Sequence, residues 1–190
     1  MELGALILAG GESRRMGCDK ACVPWHGKPL IQWAVDNVRG LGIREILISG
    51  RAGQDYSALG FPVLYDLEPG LGPLAGIERG LRECASPLLL VLAVDLPRIT
   101  TRFLRKLQAH CDYLTGVVPS VRGQLEPLAA IYPRRCHVLA AALYTGLYHS
   151  ARDFARACLR EHAVRAWPVP PADVDSLANC NTPADLHAAS

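Results

Sequence analysis

The sequence predicts an α/β fold of three layers around a mostly parallel central sheet. Three observations carry this. Short apolar runs alternate with stretches whose apolar residues recur every three or four positions, up to about residue 110. The longest run, LLLVLAV at 88–94, has no polar member, as suits a strand covered on both faces. Several runs stop on glycine or aspartate, at Gly10, Asp66 and Asp95, and the carboxyl ends of strands in such sheets are where ligands gather.

Taken in order, residues 5–8 form an apolar strand cut short by Gly10 and Gly11. The segment WHGKP at 25–29 reads as a turn, with Pro29 at the first position of a helix that carries Leu30, Ala34, Val38 and Leu41 and ends at Gly42. Residues 46–48 form a second strand closed by Ser49 and Gly50, residues 54–59 a short helix, and residues 62–65 a third strand ending on Asp66. A second Gly-rich loop spans 68–76 and leads into a helix at 77–84. The strand at 88–94 follows and ends on Asp95, after which Thr100 or Thr101 caps a helix running to about His110.

The remainder is less regular. Strands are expected at 113–118 and 128–132, joined by a polar linker, with helices at 134–144 and from Ser150 to near His162. Residues 164–169 read as an edge strand, because Pro168 lies within them. Thr182 and Pro183 open a last helix, with Asp185 in its first turn. One domain over 1–190 is expected, with the regular alternation in about 1–110 and the rest in 111–190.

Composition narrows the function. Half of the 190 residues are apolar and a fifth are charged, and a formal net charge of +2 does not suggest a nucleic-acid partner. The run at 88–94 is far too short to span a bilayer, and no targeting segment is visible at the start. The seven cysteines are odd in number and lack a Cys-x-x-Cys pair, which fits reduced thiols in the cytoplasm rather than a disulfide frame or a zinc site.

The chemistry centres on residues 8–20, LAGGESRRMGCDK. Glycines after a strand let backbone approach a ligand and turn N–H groups toward an anion. Arg14, Arg15 and Lys20 then add positive charge, as a nucleoside triphosphate requires. Neither common phosphate pattern fits: Gly11 and Gly17 are separated by five residues with no Lys-Ser or Lys-Thr after them, and Gly10 and Gly11 are adjacent. Asp95 leaves a fully buried strand and needs a compensating partner, either Mg²⁺ or the N–H groups of the next helix. Asp66 is either a nucleotide contact or a turn aspartate.

These residues resemble the opening motif of molybdenum cofactor guanylyltransferases, within the nucleoside-triphosphate transferase superfamily. GKPL at 27–30, GPLAG at 72–76, DLP at 95–97, Pro127-Leu128 with Ala130 and Tyr132, and NTP at 181–183 follow in the family's order. The resemblance implies a Rossmann-like nucleotidyltransferase fold and transfer of GMP from Mg-GTP to the terminal phosphate of molybdopterin, with release of pyrophosphate. It implies that Leu8, Ala9, Gly10 and Gly11 hold the guanine nucleotide. Lys20 and Arg15 would lie on the phosphates, Asp66 on the nucleotide, and Asp95 on both nucleotide and Mg²⁺. Glu126, Pro127 and Asn181 would lie toward the acceptor, and molybdoenzymes or cofactor-insertion proteins would receive the product. The adjacent Gly10 and Gly11 look more like the guanylyl than the cytidylyl branch, with a carbonyl near Leu8 or Ala9 meeting N1–H and N2–H₂ and a free N–H near Gly10 or Gly11 meeting O6. Two positions depart from the family: Ser49 stands where asparagine can occur, and Glu126 where His or Gln is common.

Three other readings compete. One is a cytidylyltransferase, or another nucleotidyltransferase of small phosphates, from the same superfamily. Another is a non-catalytic protein that binds nucleotide or pterin. The third is an NAD-binding oxidoreductase, since GLGPLA at 70–75 matches G-x-G-x-x-A and Asp95 lies 20 residues on. Against the third, the preceding strand ends near Tyr65, too early for a tight strand-to-helix turn, and the first loop's cations stay unexplained.

Overall fold

The computed structural model describes residues 2–10, 19–51, 53–65, 72–144, 150–180 and 185–186. Strand β1 is Leu3–Leu8, and a two-residue hairpin follows, β2 (Pro24–Trp25) and β3 (Lys28–Pro29). Its corner, His26 and Gly27 at φ 47° and 77°, has the paired positive φ that matches the twist of flanking strands. Helix α1 is Leu30–Arg39, with Pro29 as its N-cap rather than its first helical residue. Strand β4 is Ile46–Gly50, and the short helix expected at 54–59 is a single 3₁₀ turn, Ser57–Leu59. Then come β5 (Val63–Tyr65), α2 (Pro73–Glu83), β6 (Leu88–Ala93) and α3 (Thr101–Gln108), the last capped by Thr100, whose hydroxyl accepts from Phe103 N.

Two elements differ most from the sequence reading. Helix α2 begins four residues earlier than expected, because Pro73 occupies the first turn, where its missing N–H costs nothing. The strand expected at 113–118 is β7, Gly116–Val121, which takes in Pro119 and Ser120. Tyr113 and Leu114, strand-like by residue type, are about 70% exposed, while the Asp112 carboxylate accepts from the N–H groups of Leu114 and Thr115 and turns the chain there. The linker after β7 contains a hairpin strand of its own, β8 (Gln124–Leu125), across a corner at Arg122 and Gly123. Strand β9 is Ala129–Pro133, a 3₁₀ turn at Arg134–Cys136 leads into α4 (His137–Tyr144), α5 is Ala151–Arg160, and β10 is Val164–Pro168.

The sheet runs β10-β7-β9-β6-β1-β4-β5, with β8 attached to β7. Pairings are parallel from β6 through β1 and β4 to β5; β9 is antiparallel to both β6 and β7, and β10 is parallel to β7. As expected, β10 is an edge strand, where proline has little ladder to disrupt.

Side-chain alternation divides the core into two layers. Ala5 and Ile7 of β1 and Leu88, Leu90 and Leu92 of β6 pack with α1 and α3. Leu6, Leu8, Leu89, Val91 and Ala93 pack with α2 and α5. Each fully buried Leu or Ile stabilises by about 1.5–3 kcal/mol, so this central pair holds the fold together. Helix α2 sits close on the sheet because it presents glycine: a Cβ on Gly80 would lie 2.6 Å from Leu6 Cδ2, and one on Gly76 2.5 Å from Ser49 Oγ. Among the described residues, Cys84, Cys111, Cys136, Cys158 and Cys180 are free thiols, and no helix is long and apolar enough to cross a membrane.

Candidate active site

The carboxyl ends of β1, β4 and β6 lie side by side, and backbone hydrogen bonds extend their pairing past the strands. Val94 N donates to Leu8 O at 3.2 Å, while Ala9 N and Gly10 N donate to Ser49 O at 2.9 and 3.1 Å. This alters one expectation. The Gly10 N–H is not free for a base, since Ser49 holds it. Ser49 is buried against Gly76 and acts on the loop through its backbone carbonyl.

Lys20 opens a 3₁₀ turn, Lys20–Cys22, capped by Asp19. One Asp19 oxygen accepts from Ala21 N at 3.0 Å, and the other from the Tyr56 hydroxyl at 2.5 Å. From this turn Lys20 Nζ reaches to 3.8 Å from Asp95 Oδ2. The structure thus brings together Lys20 and Asp95, residues 75 positions apart in the chain, at the tips of β1 and β6.

Asp95 is held in an unfavourable setting. Its Oδ1 is buried and has no hydrogen-bond partner among the described residues. Burial raises its pKa above the usual carboxylate value, against the opposing pull of Lys20 and its own backbone N–H. Burial likewise lowers the pKa of Lys20, against the attraction of Asp95. The backbone carbonyl of Asp95 accepts from Cys180 N at 2.9 Å, which ties the segment before Asn181 to the same place.

A cleft of about 320 Å³ opens beside Asp95, lined among others by Glu126, Pro127, Ser150, Arg152 and Asn179. Glu126 is fixed by its N–H to Pro119 O at 2.9 Å, and the Pro127 carbonyl accepts from the buried Tyr132 hydroxyl at 3.0 Å. Burial raises the Glu126 pKa, with Arg152 opposing and Asp95 reinforcing the shift. Ser150 caps α5, its hydroxyl accepting from Arg152 N and Asp153 N.

Of the residues singled out in the sequence, Leu8, Ala9, Gly10, Lys20, Ser49 and Asp95 lie at one sheet edge, and Glu126 and Pro127 at the adjoining cleft. Gly11, Arg14, Arg15, Asp66 and Asn181 lie outside the described residues. Arg152, Ser150 and Asn179 were missed. A signal existed for Arg152: a cation in the first turn of a helix opposes the positive end of the helix dipole, an arrangement that suits binding an anion.

Residues 5–165 match the family model of the MobA-like NTP transferase domain. A protein of Opitutus terrae described as a probable molybdenum cofactor guanylyltransferase is 35% identical over 186 residues, 96% of this chain and 92% of its own length. One of the same description from a Nostoc species is 34% identical over 190 residues, 97% of this chain and 88% of its own. The crystal structure of molybdopterin-guanine dinucleotide biosynthesis protein A from Archaeoglobus fulgidus superposes with a TM-score of 0.76 at 26% identity, covering 98% of this chain and 96% of that one.

Proposed function

Because the chain belongs to the MobA-like NTP transferase family, we propose that it is a molybdenum cofactor guanylyltransferase that moves GMP from Mg-GTP to the terminal phosphate of molybdopterin. The observation that carries this reading is the approach of Lys20 to Asp95 at the strand tips, beside a cleft with a cation of its own.

The attacking group is a phosphate oxygen of the acceptor. It bonds to the α-phosphorus of GTP while the bond to the bridging oxygen of the β-phosphate breaks, and pyrophosphate leaves. The acceptor phosphate is already anionic, so no side chain need remove a proton. What this chain supplies is alignment and charge. Lys20, with Arg15, takes the triphosphate. The Arg152 side chain, which lines the cleft, takes the acceptor phosphate. Glu126 and Asn181 serve the pterin, where a carboxylate can accept from ring N–H donors. Leu8, Ala9, Gly11 and Asp66 hold the nucleoside, while Ser49 braces Ala9 and Gly10 through its backbone carbonyl.

Asp95 suits a hard divalent cation, because Mg²⁺ is commonly bound by one or two carboxylates plus substrate phosphates, and a buried carboxylate oxygen without a partner is what such an ion would satisfy. When bound there, Mg²⁺ would neutralise charge on the phosphates. The reaction belongs to the cytoplasm, and the product would pass to molybdoenzymes or the proteins that insert their cofactor.

The test is a single-turnover reaction of the protein with GTP, Mg²⁺ and molybdopterin. One pyrophosphate should appear for each guanine dinucleotide product. GTP binding without pyrophosphate release would make the protein a carrier, and a preference for CTP would leave only the superfamily.

A further inference from the structure

Tyr56 lies in the loop after β4, in no motif of the sequence, yet it is 2% exposed. Its ring packs on Gly50, where an added Cβ would stand 2.8 Å from Tyr56 Cε2. Its hydroxyl reaches across 37 positions to donate to Asp19 Oδ2 at 2.5 Å. The other Asp19 oxygen caps the turn that begins with Lys20. The neighbouring residue of β4, Ser49, holds Ala9 N and Gly10 N. One end of β4 therefore touches both sides of the nucleotide site, the base side through Ser49 and the phosphate side through Tyr56.

We propose that Tyr56 is a positioning residue for nucleotidyl transfer, its hydroxyl holding Asp19 as the cap that presents Lys20 to the triphosphate. The argument is one of alternatives open to Asp19. Without the hydroxyl, one carboxylate oxygen lies unengaged beside the turn that carries Lys20, where it can draw an ammonium away from substrate. With it, both oxygens are occupied and the turn has one orientation. Charge-assisted hydrogen bonds of this length are among the stronger and more directional ones. Burial first, and then Asp19, raise the phenol pKa well above its ordinary value, so the hydroxyl keeps its proton as donor throughout the working range.

The proposal rests on Lys20 acting on the phosphates, so the test separates the two. Tyr56→Phe and Lys20→Ala are made singly and together, and kcat and KM for GTP are measured below all melting temperatures. Tyr56→Phe keeps the ring on Gly50 and should lower kcat/KM for GTP about tenfold, with the KM for molybdopterin unchanged. In the Lys20→Ala background the same change should have no further effect, because its route of action is gone. Asp19→Asn, whose amide oxygen can still cap Ala21 N, should behave like Tyr56→Phe in both backgrounds. Equal activity of Tyr56→Phe and the parent, or a tenfold loss that persists in the Lys20→Ala background, overturns the positioning role while leaving Lys20 in place. A Lys20→Ala variant as active as the parent overturns both.

Discussion

Asp19 precedes Lys20 in the chain and Asp95 lies 3.8 Å from its ammonium, and the structure treats the two carboxylates in opposite ways. Asp19 spends both oxygens on the protein, one on Ala21 N and one on the Tyr56 hydroxyl. Asp95 keeps one oxygen buried without a partner among the described residues, and its charged form is disfavoured by burial. A satisfied carboxylate builds structure. An unsatisfied one at a strand tip costs stability in the free protein and is explained by something that binds there. The same local chemistry, an aspartate next to a lysine, thus divides into a satisfied carboxylate and one with an oxygen unsatisfied among the described residues.

The largest effect that tests this division is on turnover. Asp95→Asn preserves shape and removes the charge. GMP transfer should fall a hundredfold or more, about 2.7 kcal/mol of transition-state stabilisation, while Asp19→Asn falls far less. Steady-state kinetics of both variants check this, and near-normal turnover in folded Asp95→Asn would reduce Asp95 to a structural residue.

Lys20→Ala comes next. Removing one charged contact should weaken Mg-GTP binding and slow transfer together, by roughly tenfold to a hundredfold, in line with about 1.5–3 kcal/mol for a hydrogen bond to a charged group. Arg14→Ala should do much less. Matching small effects in kcat/KM for the two variants would assign residues 14–20 to solvated surface.

The base preference is a third contrast. A site built for guanine leaves polar groups unpaired against cytosine, at about 1–3 kcal/mol each. GTP should exceed CTP at least about tenfold in kcat/KM. Since Gly10 N–H is held by Ser49, the proposed donor to O6 is Gly11. Gly11→Ala should narrow the preference, whereas Gly10→Ala should leave it. The two nucleotides compared in each variant give the answer.

These expectations show what the sequence could carry. Strand β6 was legible because a continuous apolar run buried on both faces has few other uses, and Asp95 was legible because such a run ended on it. Lys20 was legible from its motif, but its meeting with Asp95 depends on the topology. Tyr56 and Arg152 were not. Tyr56 sits in a loop of polar and small residues where an aromatic ring gives no periodic signal, and only the fold brings Asp19 to it. Arg152 entered the sequence reading only within the helix expected from Ser150, although its place in the first turn was a signal. The start of α2 was lost because a Gly-Pro pair signals a loop and also begins a helix. The start of β7 was lost because Tyr113 and Leu114 favour strands by type, while Asp112 turns their backbone away.

The smallest effects are on stability. A carboxylate whose folded pKa is raised stabilises the fold below its unfolded pKa, and that contribution is lost as pH rises through the folded value. Asp95 and Glu126 are both of this kind. Their share of ligand-free stability should fall as pH rises from about 4 through their raised pKa values, and Asp95→Asn should flatten the curve. Asp19→Ala should instead cost about 1 kcal/mol, the usual loss of a cap. Urea melts across pH read both. A steeper pH dependence in Asp95→Asn would mean that Asp95 is stabilised by the fold.

The most direct measurement compares melting temperatures of the parent and Asp95→Asn at pH 7, each with and without saturating Mg-GTP. Ligand that binds only the folded state raises the melting temperature by mass action. The account predicts that ligand-free Asp95→Asn melts at or above the parent and gains far less from Mg-GTP. A variant that melts lower without ligand, yet gains as much as the parent with it, would contradict the claim that Asp95 is kept at the strand tip for the nucleotide and its metal.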